Sequence, residues 1–121
     1  MLPIRGVYEV AVRVRDLERA EQFYTGPLGL EVALRDPRGM LFLRVGASAG
    51  MVVLQQDSGD WPGEHFALTI DAVDVDEAAK QLREAGVEVE GPVHHAWMPA
   101  RSLYFSDPDG HQLELCAPLE V

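Results

Sequence analysis

Polar and apolar residues alternate along the first clear segment of the chain, Glu9–Arg15. Its three valines occupy one side and its charged residues the other, which is typical of a half-buried strand. Asp16 is a candidate N-cap, and the apolar residues from Leu17 to Tyr24 recur at helical spacing, which predicts a short amphipathic helix. Further strand patterns follow at Leu30–Leu34, Met40–Val45 and Met51–Gln56.

The same order of elements begins again after a connector rich in Asp, Gly and Pro. His65–Asp71 alternates, and Asp74 with Glu77 has the spacing of a capping box at the start of a second helix that ends at Gly86. Val87–Val93 predicts the next strand. A hairpin with the turn Asp-Pro-Asp-Gly closes the chain, its strands at Ser102–Ser106 and His111–Cys116.

This repeated order predicts an α+β fold of two βαβββ modules in one domain. We place module one at residues 5–57, the connector at 58–64 and module two at 65–118. Two such modules can form a curved mixed sheet with the helices on the convex face, which leaves a concave face for a pocket. Open sheet edges and short helices on one side favour a homodimer.

Composition narrows the classes of partner. The 121 residues carry a net charge of -10, which repels nucleic acids and anionic membranes at long range. Cys116 is the only cysteine, so an internal disulfide is excluded, and we expect Cys116 to be inert core. No apolar run near Met1 has the length of a signal peptide or membrane span, and we therefore expect a cytoplasmic protein.

Three potential metal ligands share the parity of the concave face. The valine and leucine sides of the strands are expected to meet the helices, so Glu9, His65 and Glu114 point the other way. Oxygen and nitrogen ligands of this kind suit a divalent ion of Zn, Mn, Fe, Co or Ni. Without metal, Glu9 and Glu114 facing one another could still perform acid–base catalysis.

Four further residues are candidates for contact with a small-molecule substrate. Arg101 suits an anionic group, while Tyr104 and Phe42 share the parity of the concave face and could wall an apolar or aromatic ligand. Trp97 lies with His94, His95 and Met98 in a predicted loop before the hairpin. Core packing is the alternative for Tyr104 and Phe42, and an ordinary surface loop is the alternative for Trp97.

Three runs carry a resemblance to a known family: RVRDLERAEQFYTGPLGLEV, HFALTI and YFSDPDGHQLEL. Together with the paired modules, they resemble the vicinal oxygen chelate superfamily, which includes glyoxalase I, bleomycin-resistance proteins, fosfomycin-resistance transferases, epimerases and extradiol dioxygenases. The resemblance implies a divalent ion held at Glu9, His65 and Glu114, and it also implies a homodimer.

The resemblance leaves the function open between two classes. One is a glyoxalase-type lyase or isomerase, in which Glu9 and Glu114 are catalytic and the metal binds neighbouring oxygens of the substrate. The other is a metal-free protein that binds an antibiotic or aromatic ligand. Glu9 stands where the family most often has His, which counts against a ring-cleaving dioxygenase and against a fosfomycin-resistance transferase. If Gly50 is equivalent to Gly110, a fourth ligand would fall on Leu54, or on Gln55 with a one-residue bulge.

Overall fold

The computed structural model describes residues 1, 3–47, 50–97 and 99–118. The chain divides into two compact units, Met1–Trp61 and Pro62–Val121, and the division falls inside the predicted connector. Module one lies within the first of these units and module two within the second. The α+β prediction with two βαβββ modules is confirmed, because each unit contains a four-stranded mixed sheet and one α-helix.

Module one contains a sheet with the strand order β1-β4-β3-β2. Strands β1 and β4 are parallel and the other pairs are antiparallel. The Asp16 carboxylate accepts a hydrogen bond from the Arg19 backbone N–H, so Asp16 is the N-cap that the sequence predicts. The elements are β1 (Glu9–Val14), α1 (Leu17–Thr25), β2 (Glu31–Asp36), β3 (Met40–Arg44) and β4 (Met51–Gln56).

Module two repeats this topology with the order β5-β8-β7-β6, in which β5 and β8 are parallel. A short 3-10 turn, Ala72–Asp74, precedes its helix. The elements are β5 (His65–Thr69), α2 (Val75–Glu84), β6 (Glu90–His95), β7 (Ala100–Ser106) and β8 (Gln112–Pro118). Among the residues that the structure describes, the two α-helices have 9 and 10 residues, which is too short to span a membrane.

The core of each module lies between one sheet face and its helix. In module one, Ala20 and Tyr24 of α1 are fully buried, and α1 packs on β3 and β4. In module two, α2 packs on β6 and β7 through Val75, Ala79 and Leu82. The sheet residues that complete these cores are Val12, Val14, Leu41, Leu43, Leu54, Leu103, Phe105, Leu113 and Leu115. Burial of their apolar area is the main stabilising term.

Some predicted boundaries in module two are wrong. The sixth strand is Glu90–His95 instead of Val87–Val93, because the Val87 N–H bonds back to Leu82 at the helix end and Arg83 donates to the Val89 carbonyl. His94 and His95 therefore belong to a strand and not to a loop. Met98 lies outside the described residues.

The capping box predicted for the second helix is also wrong. Asp74 ends the 3-10 turn in a helical conformation, and its side chain makes no capping hydrogen bond. An N-cap side chain normally needs an extended backbone to reach the free N–H groups, as Asp16 has in module one.

Candidate active site

The strand registers show which positions of the two modules are equivalent. In module one, Ala11 pairs with Val53 and Val53 with Phe42. In module two, Ala67 pairs with Glu114 and Glu114 with Tyr104. We call these sets the central rows, since each crosses the middle of the sheet face opposite the helix. Each row ends on its edge strand, at Leu34 and Glu90 respectively.

This equivalence answers the question of the fourth ligand. Val53, and not Leu54 or Gln55, is the module-one counterpart of Glu114, so the equivalence of Gly50 with Gly110 is wrong by one residue. Leu54 is fully buried on the helix side, where it pairs with Leu41. Gln55 does face the same side as Glu9, but it lies opposite Arg13, and β4 pairs with its neighbours without a bulge. Val53 has no metal-binding atom.

His65 and Glu114 come together in module two, as the parity of their strands predicts. The His65 Nε2 atom lies 3.3 Å from Glu114 Oε1, and His65 Nδ1 lies 3.2 Å from the backbone carbonyl oxygen of Gln112. A carbonyl oxygen can only accept, so Nδ1 carries a proton. In a neutral ring Nε2 is then an acceptor that faces a carboxylate oxygen. This arrangement calls for a second proton or a bound cation between the two atoms.

The Glu114 carboxylate is buried, with 7% of the residue exposed. Its Oε2 atom accepts a short hydrogen bond of 2.6 Å from the Ser102 hydroxyl, which is itself fully buried. Hydrogen bonds to a charged acceptor are the strong ones, so Ser102 fixes the orientation of the carboxylate. As a result, Oε1 is held toward His65, whose side chain is 52% exposed.

Tyr104 lies beside Glu114 in the central row of module two, and its hydroxyl is 2.8 Å from His95 Nε2. Burial raises the pKa of the Tyr104 phenol above its ordinary value; hydrogen bonding to Ser102 opposes this rise, and the negative charge of Glu114 adds to it. The phenol therefore keeps its proton throughout the neutral range. The neutral Tyr104 hydroxyl can hydrogen bond to an oxygen of a ligand.

The donor atoms present fit a divalent metal in part. An imidazole nitrogen and a carboxylate oxygen are ordinary ligands of such ions, and metal-bound histidines commonly hold their second ring nitrogen on a carbonyl, as His65 does. Across residues 1, 3–47, 50–97 and 99–118, no group of three or more His, Cys, Asp or Glu side chains is arranged to hold a metal ion. Glu9 lies on β1 of module one, and its role as third ligand stays a prediction.

The other predicted contact residues lie at different places. Arg101 is in β7 on the opposite face from Glu114, and its guanidinium lies 3.1 Å from Asp76 of α2. Trp97 is 80% exposed in the turn after β6, with its ring centroid 6.1 Å from that of His95. Phe42 lies in the central row of module one. Of the contact residues predicted in module two, only Tyr104 lies beside the His65–Glu114 pair.

Two residues of this site had no role in the sequence-based interpretation. Ser102 could have been found from parity, because it lies two residues before Tyr104 on the same side of a predicted strand. His95 carried no such signal, because the strand that orients it was predicted to end at Val93.

Comparison with known proteins gives one family. The profile of the Glyoxalase/Bleomycin resistance protein/Dioxygenase superfamily matches residues 6–115. A curated protein, 2-epi-5-epi-valiolone epimerase of an Actinomyces species, is 29% identical, and the match covers 91% of this chain and 78% of the epimerase.

Solved structures resemble the whole chain. An integron cassette protein from the mobile metagenome of the Halifax Harbour sewage outfall is 47% identical, with a TM-score of 0.90 over 94% of this chain and 99% of that protein. The antibiotic-binding protein TnmS3 of Streptomyces sp. CB03234 is 29% identical, with a TM-score of 0.81 over 98% of this chain and 100% of TnmS3. The similar proteins thus include both an enzyme and a binding protein.

Proposed function

Because the chain belongs to the Glyoxalase/Bleomycin resistance protein/Dioxygenase superfamily, we propose that it is a divalent-metal-dependent lyase or isomerase acting on a small molecule with two neighbouring oxygens. The observation that carries this proposal is the His65–Glu114 pair, in which an imidazole nitrogen and a buried carboxylate oxygen, both ordinary ligands of divalent metals, lie 3.3 Å apart. The similarity to an epimerase, which is an isomerase, supports the same class of reaction.

His65 and Glu114 would hold the ion, with Glu9 as the proposed third ligand. A divalent metal at this place would supply a Lewis acid that polarises oxygens of the substrate. The protein's own contribution is orientation: the Gln112 carbonyl fixes the tautomer of His65, and the Ser102 hydroxyl fixes Glu114. We assign the transfer of a proton between substrate carbons to a carboxylate, Glu9 or Glu114. A cytoplasmic location and a homodimer stay predictions from the sequence.

Calorimetric titration with Zn²⁺, Ni²⁺, Co²⁺ and Mn²⁺ tests this proposal on protein purified without a chelator. We expect stoichiometric binding of at least one ion, and a loss of more than about 100-fold in affinity in His65→Ala and Glu114→Gln, because loss of a ligand should cost more than loss of its hydrogen-bond partner, which typically costs about 10–100-fold. His94→Ala and Glu88→Gln are the matched controls, since both residues are exposed and belong to module two. Failure of all four ions to bind the wild-type protein would overturn the metal-dependent function.

A metal-free ligand-binding protein is the second candidate function. It is favoured by the central row of module one, where Phe42, Val53 and Leu34 form an apolar strip and Leu34 is 58% exposed. The similarity to TnmS3, an antibiotic-binding protein, agrees with this candidate. A panel of aromatic antibiotics should then raise the melting temperature in the presence of EDTA. Phe42→Ala should abolish that rise, and no response to the panel would count against this candidate.

A further inference from the structure

The buried residue His111 joins the hairpin of module two to the start of β5. Its ring is fully buried, and the Nδ1 atom accepts the backbone N–H of Glu64 at 2.9 Å. A nitrogen that accepts an N–H carries no proton itself, so the ring is neutral and its proton is on Nε2. His111 therefore has the opposite tautomer to His65, whose Nδ1 donates to a carbonyl oxygen.

Glu64 directly precedes His65 in the chain, so contacts that fix the Glu64 backbone also fix the position of His65. Both backbone polar groups of Glu64 bond to the hairpin: its N–H donates to the His111 ring, and its carbonyl oxygen accepts the Gln112 N–H at 2.8 Å. His65 is the first residue of β5 and its side chain is 52% exposed, so packing alone holds it weakly. The ends of elements also open most easily. These two bonds therefore matter for where the imidazole lies.

The hairpin end of this contact is itself held in place by a buried carboxylate. Asp107 Oδ1 accepts the N–H of Asp109 at 2.9 Å and the N–H of His111 at 2.8 Å. The Asp107 N–H also donates to the His111 carbonyl oxygen at 3.0 Å. Hydrogen bonds to a charged acceptor are the strong ones. The turn thus fixes the backbone of His111, and the His111 ring extends this fixed geometry to Glu64.

Module one lacks the side-chain part of this contact. The strand registers make Gly50 the equivalent of His111 and Tyr8 the equivalent of Glu64. The backbone bond is common to both modules, because the Tyr8 carbonyl oxygen accepts the N–H of the first residue of β4 at 2.9 Å. A glycine, however, has no side chain that could accept the Tyr8 N–H. The bond from the ring is therefore not required by the topology, and it occurs in the module that carries His65.

We propose that His111 is a positioning residue for His65. By holding Glu64, it keeps the His65 imidazole where Nδ1 meets the Gln112 carbonyl oxygen and Nε2 meets the Glu114 carboxylate. His111 acts through the backbone and is not itself a ligand. The inference rests on the proposed function where it treats His65 as a metal ligand. The positioning itself is a property of the chain and also holds in metal-free protein.

Three substitutions at His111 separate the acceptor atom from the ring. Asparagine carries its oxygen on Cγ, the atom that carries Nδ1 in histidine, so His111→Asn keeps an acceptor near the same place. His111→Leu has no acceptor, and His111→Gln carries one that is a bond further from the backbone. The matched control for lost stability is Leu82→Ala, which removes a side chain of α2 that is only 3% exposed.

The first measurement is the Zn²⁺ affinity of each variant by calorimetry, with the melting temperature recorded separately. We expect His111→Leu and His111→Gln to lose about tenfold in affinity, as loss of a residue that orients a ligand predicts. His111→Asn should recover most of this loss, and Leu82→Ala should bind like wild type. An equal loss in Leu82→Ala, or no recovery in His111→Asn, would overturn the inference. If His111→Leu does not fold, the comparison of His111→Asn with His111→Gln gives the same decision.

The second measurement needs no metal. In protein with EDTA, the nitrogen resonances of the His65 ring show by NMR which ring nitrogen carries a proton. We expect a protonated Nδ1 in wild type and in His111→Asn. In His111→Leu the proton should be shared between the two nitrogens, because the bond to the Gln112 carbonyl that sets the tautomer is weakened. An Nδ1 that stays fully protonated in His111→Leu would overturn the inference.

Together the two measurements keep this inference apart from the proposed function. Absence of Zn²⁺ binding in wild type, with a His65 tautomer that depends on His111, would overturn the metal-dependent function and support the role of His111. Equal Zn²⁺ binding in all variants, with unchanged His65 resonances, would overturn the role of His111 and leave the metal-dependent function in place.

Discussion

The central rows of the two modules occupy equivalent positions but differ in chemistry. In module one the row contains Val53 and Phe42; in module two the same positions hold Glu114 and Tyr104. The positions two residues earlier in β3 and β7 also differ: Met40 in module one is equivalent to Ser102 in module two. Strand order and the register of β1, β4 and β3 match those of β5, β8 and β7, whereas the edge strands β2 and β6 have their pairing irregularities at different positions.

This comparison shows that the carboxylate of module two depends on its neighbours. Glu114 is buried and bonded to Ser102, and a buried charge without such a partner is costly. Module one has no hydroxyl at the equivalent position, and its row is apolar. The polar residues of module two therefore form a set in which Ser102, Tyr104 and Glu114 support one another.

The largest effect is expected from placing a carboxylate in the row of module one. Val53 is 1% exposed, so Val53→Glu should destabilise the protein by about 3–5 kcal/mol, the cost of an uncompensated buried charge. In a Met40→Ser background this cost should fall by about 1 kcal/mol, because a serine now lies where Ser102 lies in module two. Urea unfolding of the wild type, the two single variants and the double variant gives both values. Equal costs in the two backgrounds would contradict the role assigned to Ser102.

A smaller loss of stability is expected from variants that test which face of β4 each residue occupies. Leu54 is fully buried on the helix side, so Leu54→Ala should lower the free energy of unfolding by about 2–5 kcal/mol. Gln55→Ala, on the other face and partly exposed, should change it by no more than about 0.5 kcal/mol. Chemical denaturation measures both. Similar losses in the two variants would mean that the strand register is different.

The smallest effect concerns the hairpin of module one, where the charged groups lie at the turn. Hydrogen bonds from the Arg38 side chain and backbone lower the pKa of the Asp36 carboxyl to about 2. A lowered pKa stabilises the folded state above the ordinary value near 4, and this contribution is lost as pH falls toward 2.

Asp36→Asn should therefore be slightly less stable than wild type at pH 7. The difference between the two proteins should shrink as the pH falls from about 4 to 2, as shown by urea midpoints measured from pH 7 to pH 2. A difference as large at pH 2 as at pH 7 would show that the ion pair is not its cause. The Arg38 side chain is 79% exposed, which keeps the expected effect small.

Alternation of apolar and polar residues was sufficient to predict most elements and the meeting of His65 with Glu114. It failed where hydrogen bonds outside the strands decide the path, as at Val87–Val89, and His95 was therefore predicted to lie in a loop. The equivalence of Gly50 with Gly110 failed because a glycine marks a turn and not a register: Gly110, with φ of 86°, closes the Asp107 turn, and His111 separates it from β8.

The alternation of apolar and polar residues could not predict which side chains hydrogen bond to one another. Parity places Ser102, Tyr104 and Glu114 on one face, but the Ser102–Glu114 bond depends on the distance between two adjacent strands and on rotamers. The bond from His95 to Tyr104 similarly depends on the irregular pairing of β6 with β7 between Glu90 and Val93.

The link between Glu64 and the hairpin of module two has a consequence for protein engineering. The buried His111 ring accepts the Glu64 N–H at 2.9 Å, and the Gln112 N–H bonds to the Glu64 carbonyl at 2.8 Å. Gly63 also lies directly against Gly110, where a Cβ atom would clash. The path of the chain into β5 is thus fixed from Gly63 onward. Residues inserted between Trp61 and Pro62 should leave His65 in place. The Trp61–Pro62 peptide bond is therefore a suitable point at which to insert a tag or a reporter domain.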